Sequence, residues 1–491
     1  MTQEAYLGID LGTSAAKVLI LDGHGIVLSR ASRSYSTHAP KPGWAEQSPS
    51  DWWAAVCAAT KEAINKANKT IVSVGLSGQL NGVVLLDAQG KPLGNAIIWL
   101  DIRAVSQAKE FARMRDFVSL TGNAISPICV LPKLAWLQEN RRDLMAQTKR
   151  IALAKDYVLL RLTGNLATDP SDALSTAMTE IGGTAWSPDL TSLASLDTEF
   201  LPKIEQSATI AGRITANAAT ETGLAPSTPV ATGAGDVAAL AVGCGIVNEN
   251  RIAITLGTAG HVVSQAKSKK LIKNVGLWQL PHAVAERQLW LGLIMSGGLS
   301  LSWLKSILSF PQPLEYEQLN TLASEVQAGS EGAFFLPFLE GAATPYSRPD
   351  VQGAFLGLSS AHSTGHLIRA VMEGVAYNAR QCVEAMVEAG VNNMEIHLAE
   401  GGAQSPTWCQ SIADVLGQPV HLIAERDTSA SGAALLGRSA ATGISVPEAA
   451  ENSVVIDRVF EPNVKSSQVL NSAYLEYLDH CDKIIDANSL K

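Results

Sequence analysis

The 491-residue chain lacks several features that would place it in a specialised class of protein. It has no long block of Lys or Arg and a formal net charge of −9, so it lacks the basic surface typical of nucleic-acid binding. Its densest basic cluster, Lys267–Lys270, is short and is interpreted as a solvated loop. No apolar run approaches the roughly 18 residues needed to span a bilayer. Neither nucleic acid nor a membrane is therefore expected as a partner.

Cysteine is scarce and scattered. The six cysteines form no Cys-x-x-Cys pair, and none has a His nearby at the spacing of metal ligands. This pattern is typical of free thiols in a reducing compartment. The first residues, Met1–Glu4, are not basic, and no apolar stretch of a signal peptide follows them. We therefore expect a soluble cytoplasmic protein.

What the chain does have is enough apolar sequence for large cores. Hydrophobic residues make up 46% and charged residues 17% of it, which favours a folded globular protein over long disorder. Its length exceeds the size at which one core keeps growing, so two large domains are expected. Strands alternate with helices throughout, which predicts α/β layers with mixed sheets. We place the boundary near Gly245–Asn250, which gives domains 1–246 and 247–491.

One short motif occurs twice, near the start of each half. Leu11–Ser14 (LGTS) returns as Leu256–Ala259 (LGTA), and each copy lies between two apolar runs. Strand, Gly-Thr turn and strand predict a hairpin. Glycine lets the backbone amides of the turn approach a ligand, and the hydroxyl adds a donor. Two such hairpins across a cleft could bind a polyphosphate, although each alone could also be an ordinary tight turn.

Two carboxylates are candidates for chemistry. Asp10 lies inside an apolar strand, where an unpaired charge is costly; Mg²⁺ beside the adjoining turn would be a suitable partner, and a hydrogen bond to the turn is the alternative. Asp236 follows the glycines of Gly233–Gly235 and begins an apolar helix. It could accept a proton from a hydroxyl that attacks phosphorus, or it could be a simple helix N-cap.

Two further segments are weaker candidates. At Glu400–Ala403 a strand runs into paired glycines, which could bring backbone close to a base or a ribose, or could be only a turn. The segment Trp99–Arg103 could offer an indole face and the Asp101/Arg103 pair to a polyol. Trp99 could equally be a core aromatic residue and the charged pair a surface pair.

Taken together, these residues resemble the FGGY family of carbohydrate kinases, in the actin-like ATPase superfamily. Gly8–Ser14 is similar to the first phosphate hairpin of that family. Gly353–Leu358 followed by His366–Glu373 resembles its long C-terminal signature. Within the family, the similarity is greatest to xylulokinases, and it extends over essentially the whole chain. Further similar segments are 44–47, 75–79, 132–137 and 155–164.

The resemblance implies an α/β protein with two actin-like (ribonuclease H-like) domains around a central catalytic cleft, and ATP and Mg²⁺ as cofactors. Asp236 aligns with the catalytic base and Asp10 with a residue near the metal. The implied nucleotide-binding residues are Gly12, Thr13, Ser14 and Lys17 in the first hairpin, Gly257 and Thr258 in the second, and Gly401, Gly402 and Ala403 at the adenosine. The predicted sugar-binding residues are Leu80, Asn81, Trp99, Asp101 and Asp236.

Some positions differ from the xylulokinase pattern. Asn81 stands in place of a His, Val237 in place of an Asn, and Ala342–Ala343 in place of a Glu-Arg pair. These three differences bear on the choice of sugar, because hydrogen bonds to hydroxyls select among polyols. Glu400 stands in place of the first Gly of the adenosine turn, which bears on nucleotide affinity.

The resemblance thus predicts ATP-dependent phosphorylation of a ketopentose or similar polyol, with D-xylulose to D-xylulose 5-phosphate as the preferred reaction. D-ribulose or another polyol is the alternative substrate. A non-catalytic actin-like sugar sensor is the alternative of another class, although a sensor would have no need of a base such as Asp236. The expected partner is a small sugar or polyol, and a homodimer is compatible with the sequence.

Overall fold

The computed structural model describes residues 4–266, 276–308, 314–392 and 394–489. The predicted basic loop at Lys267–Lys270 lies outside these ranges. Within them, every helix is too short or too polar to cross a membrane.

The first half of the chain alternates strands with helices. Its strands are β1 (Glu4–Leu11), β2 (Ala15–Asp22), β3 (Val27–Ser34), β4 (Glu46–Gln47), β5 (Thr70–Gly78), β6 (Val83–Leu86), β7 (Ala96–Ile97), β8 (Arg150–Leu153), β9 (Ala167–Thr168), β10 (Lys203–Ile204), β11 (Ile210–Arg213), β12 (Pro229–Ala231) and β13 (Ala234–Gly235). Its helices are α1 (Pro49–Ala67), α2 (Val105–Met114), α3 (Phe117–Thr121), α4 (Val130–Asn140), α5 (Arg142–Gln147), α6 (Ala154–Thr163), α7 (Pro170–Ser175), α8 (Pro188–Ser192), α9 (Ala216–Thr222) and α10 (Asp236–Gly243), with a 3₁₀ turn at Thr198–Phe200.

The second half restarts with a hairpin. Its strands are β14 (Arg251–Leu256), β15 (Gly260–Ala266), β16 (Trp278–Pro281), β17 (Gln288–Ile294), β18 (Phe334–Leu336), β19 (Ala354–Leu356), β20 (Glu395–Ala399), β21 (Val420–Ile423) and β22 (Ile456–Phe460). Its helices are α11 (Gly298–Leu308), α12 (Tyr316–Ser324), α13 (Thr364–Glu388), α14 (Pro406–Leu416), α15 (Thr428–Thr442), α16 (Val446–Glu451) and α17 (Val464–Ser489), with 3₁₀ turns at Ser330–Gly332 and Gly401–Gln404.

The two halves contain large sheets with the same local arrangement. The first sheet has the order β11-β12-β5-β1-β2-β3, with β13 also paired to β5, and the second has the order β16-β17-β15-β14-β20-β21-β22. In each, an antiparallel hairpin (β1-β2 or β14-β15) lies beside a parallel strand (β5 or β20). Both repeated motifs are therefore hairpin turns, as the sequence predicts, and the fold is α/β.

A helix from the second half packs directly on the first sheet. A Cβ atom at Gly8 of β1 would lie 1.9 Å from the Ala430 carbonyl oxygen of α15, and one at Gly75 of β5 would lie 1.8 Å from that of Ala433. The backbones of the strands and of α15 are thus in direct contact, which only glycine permits at these two positions. Because α15 also packs on α10, these two helices form part of the contact between the halves.

Strand β8 interrupts a stretch of the chain that is otherwise mainly helical. It separates α5 from α6 and pairs antiparallel with β6. A four-residue apolar run is too short for its periodicity to distinguish strand from helix. The final helix, α17, packs on the hydrophobic core of the second half through Leu470, Tyr474 and Tyr477.

Candidate active site

Three strand ends of the first sheet converge on one place. β1 and β13 both run parallel to β5, with Asp10 and Ala234 each beside Ser77. The carboxyl ends of parallel strands form the ligand-binding edge of an α/β sheet. Asp10, the loop after β5 and Asp236 are therefore brought to a common edge.

Asp10 is a buried carboxylate with one hydroxyl partner and one cation nearby. Its Oδ1 accepts a hydrogen bond of 2.8 Å from the Ser77 hydroxyl, and Lys17 lies opposite it on β2. Burial raises the pKa of Asp10 above its ordinary value, although Lys17 and Ser77 both favour the charged form. An added cation would be stabilised here.

Asp236 is the first residue of α10, and hydrogen bonds fix both its side chain and its backbone carbonyl. Gly235 occupies the N-cap position, so Asp236 is not the helix cap. Its Oδ1 accepts from the Val237 amide at 2.8 Å, and its carbonyl accepts from the Ser429 hydroxyl of α15 at 3.2 Å. Burial, reinforced by the charges of Asp10 and Glu400, raises the pKa of Asp236 to about 7. The residue is only partly buried.

The first hairpin turn is anchored by aromatic and amide side chains. The Gly12 amide donates to the Ala15 carbonyl at 3.1 Å, which closes the turn. The Trp99 indole donates to the Thr13 hydroxyl at 2.9 Å, and Gln47 donates to the Thr13 carbonyl at 2.7 Å. Trp99, a predicted sugar-binding residue, thus contacts the hairpin that is predicted to bind phosphate. Ser14 is exposed.

The second hairpin turn rests on the start of α11. The Gly257 and Thr258 carbonyls accept from the amides of Gly298 and Leu299 at 2.7 and 3.0 Å. The Thr258 residue is exposed. A Cβ atom at Gly257 would lie only 2.5 Å from Oε2 of Glu400, so that carboxylate lies directly against the turn.

The predicted adenosine turn lies beside a pocket. Gly402 packs tightly, since a Cβ there would lie 2.6 Å from that of Leu256, whereas a Cβ at Gly401 would meet no atom within 4 Å. The pocket next to the turn is lined by the buried Ala403 together with residues that include Gln404, Leu422, Arg426, Asp457 and Arg458. The turn therefore leaves room for a ligand on the Gly401 side.

Lys17 is a cation shared between the two halves. Its ammonium lies 2.9 Å from Oδ1 of Asp427, at the start of α15. Burial alone would lower the pKa of Lys17, but Asp427, Asp10 and Glu400 together raise it. Burial raises the pKa of Glu400 to about 7, with Lys17 opposing the shift and Asp10 and Asp427 reinforcing it.

The loop after β5 carries the two residues predicted to contact sugar, and one of them, Leu80, lies next to the candidate base. A Cβ at Gly235 would lie 2.2 Å from Leu80, so Leu80 packs directly beside the residue that precedes Asp236. Asn81 has a φ of 61° and is buried. Its side-chain oxygen has no hydrogen-bond partner within the described part of the chain.

Lys133, on α4, holds this loop, and the sequence analysis did not assign it a role. Its buried ammonium donates to the carbonyls of Asn81 and Ile98 at 2.9 and 2.8 Å. Burial lowers its pKa to about 7. The signal in the sequence is a lone lysine within an apolar helix.

Asp101 forms an internal ion pair. Its two carboxylate oxygens accept from the Arg103 guanidinium, at 2.7 Å for the shortest contact, and from the Ala45 amide at 2.6 Å. The Arg103 guanidinium in turn stacks 3.7 Å above the Trp44 ring. Asp101 is fully buried and organises the segment that carries Trp99, while its direct contact with sugar stays a prediction.

A buried ionic cluster lies behind the candidate base and was also missed. The Lys155 ammonium lies 2.7, 3.1 and 3.3 Å from carboxylate oxygens of Asp156, Asp169 and Asp172. The Ser171 hydroxyl donates to Asp169 and accepts from the Gly235 amide at 3.0 Å. The cluster therefore fixes the backbone next to Asp236.

Both halves of the chain match domains of a known protein family. The N-terminal domain of the FGGY family of carbohydrate kinases matches residues 5–243, and its C-terminal domain matches residues 252–441. The chain belongs to the FGGY family of carbohydrate kinases. It is thus a sugar kinase rather than a non-catalytic sensor, and kinases of this family use ATP.

Relatives of this FGGY kinase are named as kinases of two different substrates. A xylulose kinase of Escherichia coli K12 is 32% identical over 89% of this chain and 90% of its own length. A gluconokinase of Bacillus subtilis is 28% identical over 88% of this chain and 86% of its own. The crystal structure of a protein described as a xyloylose kinase from Brucella ovis superposes with a TM-score of 0.90, at 32% identity, covering 98% of this chain and all of the other. The family and the two-domain actin-like fold are thereby established.

Proposed function

We propose that this kinase transfers the γ-phosphate of ATP to a hydroxyl of D-xylulose and forms D-xylulose 5-phosphate. The observation that carries the proposal is the position of Asp236. The preceding Gly235 packs against Leu80, the strand before Asp236 ends at the sheet edge that carries Asp10, and the pKa of Asp236 is raised to about 7. The xylulose kinase of Escherichia coli, similar over nearly its whole length, supports the choice of sugar.

In this mechanism Asp236 is the general base. The attacking sugar hydroxyl donates its proton to the Asp236 carboxylate while its oxygen bonds to the γ-phosphorus. The bond between that phosphorus and the bridging oxygen breaks, and ADP leaves with the electron pair. A base with a pKa near the working pH combines ionisation with proton affinity. Asp10, by its charge, helps to hold that pKa up.

The residues present fit a nucleotide and Mg²⁺. The turns at Gly12–Ser14 and Gly257–Thr258 offer backbone amides and hydroxyls to phosphate oxygens. The described residues contain no group of three or more His, Cys, Asp or Glu arranged to hold a metal, but Mg²⁺ usually takes one or two carboxylates with phosphate oxygens and water. Asp10 would be that carboxylate, and the ion would neutralise phosphate charge. Gly401–Ala403 would hold the adenosine.

Asn81 is the proposed selector among sugars. Its side-chain oxygen is buried without a hydrogen-bond partner within the described residues, and a buried acceptor left unpaired is destabilising. A substrate hydroxyl would satisfy it. D-gluconate is the second candidate substrate, because the Bacillus subtilis gluconokinase is similar over most of the chain.

ADP release with a panel of D-xylulose, D-ribulose, D-gluconate and no sugar tests the proposal. We expect the highest kcat/KM with D-xylulose, and only background release without sugar. A higher kcat/KM with D-gluconate or D-ribulose would overturn the choice of D-xylulose and leave the kinase assignment intact.

Replacing Asn81 tests its role in that choice. Asn81→His should change the ratio of kcat/KM between D-xylulose and its competitors by about tenfold or more, since one discriminating hydrogen bond is worth roughly 1–3 kcal/mol. The exposed Asn140 on α4 supplies a matched control, Asn140→His. If Asn81→His lowered only the thermal stability and left the relative rates unchanged, Asn81 would have no place in the sugar site.

We further propose that the domains 1–246 and 247–491 close over both substrates, with a hinge near Cys244–Asn250, between α10 and β14. A kinase must exclude water from the γ-phosphate, which favours closure. Small-angle scattering should give a smaller radius of gyration with D-xylulose and a non-hydrolysable ATP analogue together. Unchanged curves with both ligands demonstrably bound would contradict closure.

A further inference from the structure

Glu400 is a carboxylate in the cleft to which the phosphoryl transfer above assigns no task. Its backbone has φ 72° and ψ −168°, a combination that is essentially restricted to glycine. Glutamate persists in such a conformation only where the surrounding structure holds it, and such residues cluster at functional sites. The question is what its side chain does there.

The side chain reaches the second phosphate turn. Oε2 of Glu400 lies 2.5 Å from the position that a Cβ of Gly257 would take, and the Thr255 hydroxyl of β14 donates a hydrogen bond to the carboxylate. The carboxylate thus occupies space beside the amides that would receive a phosphate. A ligand bound at Gly257 would meet this negative charge directly.

The charges around Glu400 are mostly of the same sign. Asp10, Asp236 and Asp427 act on the same region, and Lys17 is the cation that acts on all of them except Asp236. A free nucleotide polyphosphate would add several negative charges at distances where Coulomb repulsion in a desolvated cleft is strong. A divalent cation bound to the phosphates would remove most of that repulsion.

We propose that Glu400 makes this nucleotide site select the Mg²⁺ complex of the nucleotide over the free nucleotide. The proposal rests on the proposed function for the location of the phosphates. A neutral side chain of the same size would keep the packing at Gly257 and remove the repulsion. Free nucleotide would then gain affinity, while the Mg²⁺ complex would gain little.

Isothermal titration of ADP at pH 8, with EDTA or with MgCl₂, tests this without turnover. Glu400→Gln should bind free ADP roughly tenfold or more tightly than the unchanged protein, because juxtaposed like charges cost several kcal/mol. Its affinity for Mg·ADP should change less than about threefold. Glu400→Gly, which removes both the charge and the unfavourable backbone conformation, should show the same selective gain.

The matched control is Glu395→Gln, at the other end of β20, where the side chain pairs with His397; it should alter neither affinity. Equal gains for free ADP and Mg·ADP, or no gain in either Glu400 variant, would overturn the proposal. Absence of ADP binding in every protein would overturn the nucleotide site itself. Selective binding without phosphorylation of any sugar would instead overturn the proposed reaction and leave the role of Glu400 standing.

Discussion

The two Gly-Thr hairpins share a backbone arrangement but differ in the pair of residues that flanks the turn. In the first, Asp10 lies across from Lys17, and in the second, Thr255 lies across from His261. The first pair is ionic. The second is neutral near pH 7, because burial lowers the pKa of His261 to about 4, and its Nδ1 lies 3.3 Å from the Thr255 hydroxyl.

The source of negative charge differs accordingly. The first hairpin carries its carboxylate on its own strand, at Asp10, and lies at the same sheet edge as Asp236. The second hairpin is flanked by Glu400, which directly follows the neighbouring strand β20. The first Gly-Thr turn is therefore flanked by charged residues of its own hairpin. The second is flanked by a neutral pair, and its one carboxylate comes from outside the hairpin. Four predictions test this difference.

The largest expected effect concerns the base on the ionic side. Asp236→Asn should lower kcat by about 10²–10⁴, the usual value of a general base, while thermal stability and ADP binding stay near those of the unchanged protein. Steady-state kinetics and a melting curve measure both. Asp197→Asn, on the exposed surface, is the control. Turnover close to normal in Asp236→Asn would end its assignment as base.

The next prediction compares the residues at matching register positions. Lys17→Met should weaken Mg·ADP binding by about 10–100-fold, because it removes a charged donor beside the phosphates. His261→Leu removes a neutral partner and should weaken it by less than about threefold. Titration calorimetry of both variants decides the matter: similar losses would show that the two hairpins are electrostatically alike.

The pH dependence of kcat/KM should reflect the ionisation of Asp236, near the first hairpin, and not that of His261 in the second. Asp236 must be ionised to accept a proton, and its pKa is raised to about 7, so kcat/KM should fall about tenfold per pH unit below that value. His261, with a pKa near 4, should contribute no break between pH 5.5 and 8. A break that persists in Glu400→Gln, moved to lower pH because the charge of Glu400 no longer raises the pKa of Asp236, would assign it to Asp236, and its disappearance there would assign it to Glu400.

The smallest expected effect is on stability. Because the pKa of Glu400 is raised from 4.5 to about 7 in the folded protein, its contribution to folding is favourable at low pH and is lost as the pH rises through 7. Glu400→Gln, which resembles the protonated form, should therefore raise Tm by a few degrees at pH 8 and hardly at pH 5. A gain that did not depend on pH would indicate a packing effect instead.

The sequence by itself determined the family, the two hairpins and the strand ends that carry Asp10 and Asp236. These features are local: an apolar run, a Gly-Thr turn or a glycine before a helix constrains the backbone within a few residues. The repetition of the turn predicted a hairpin in each half, and the antiparallel pairing of β1-β2 and of β14-β15 agrees with it.

Only the tertiary structure decided which groups each charged side chain contacts. Lys17 forms an ion pair with Asp427, Lys133 donates a hydrogen bond to the carbonyl of Asn81, and the Glu400 carboxylate lies against Gly257. The partners in each pair are far apart in the sequence. Burial and Coulomb interaction depend on distance in space rather than on spacing in sequence. The pKa values, the hydrogen-bonded support of the Leu80–Asn81 loop and the charge beside the second hairpin therefore appear only once the sheets are assembled.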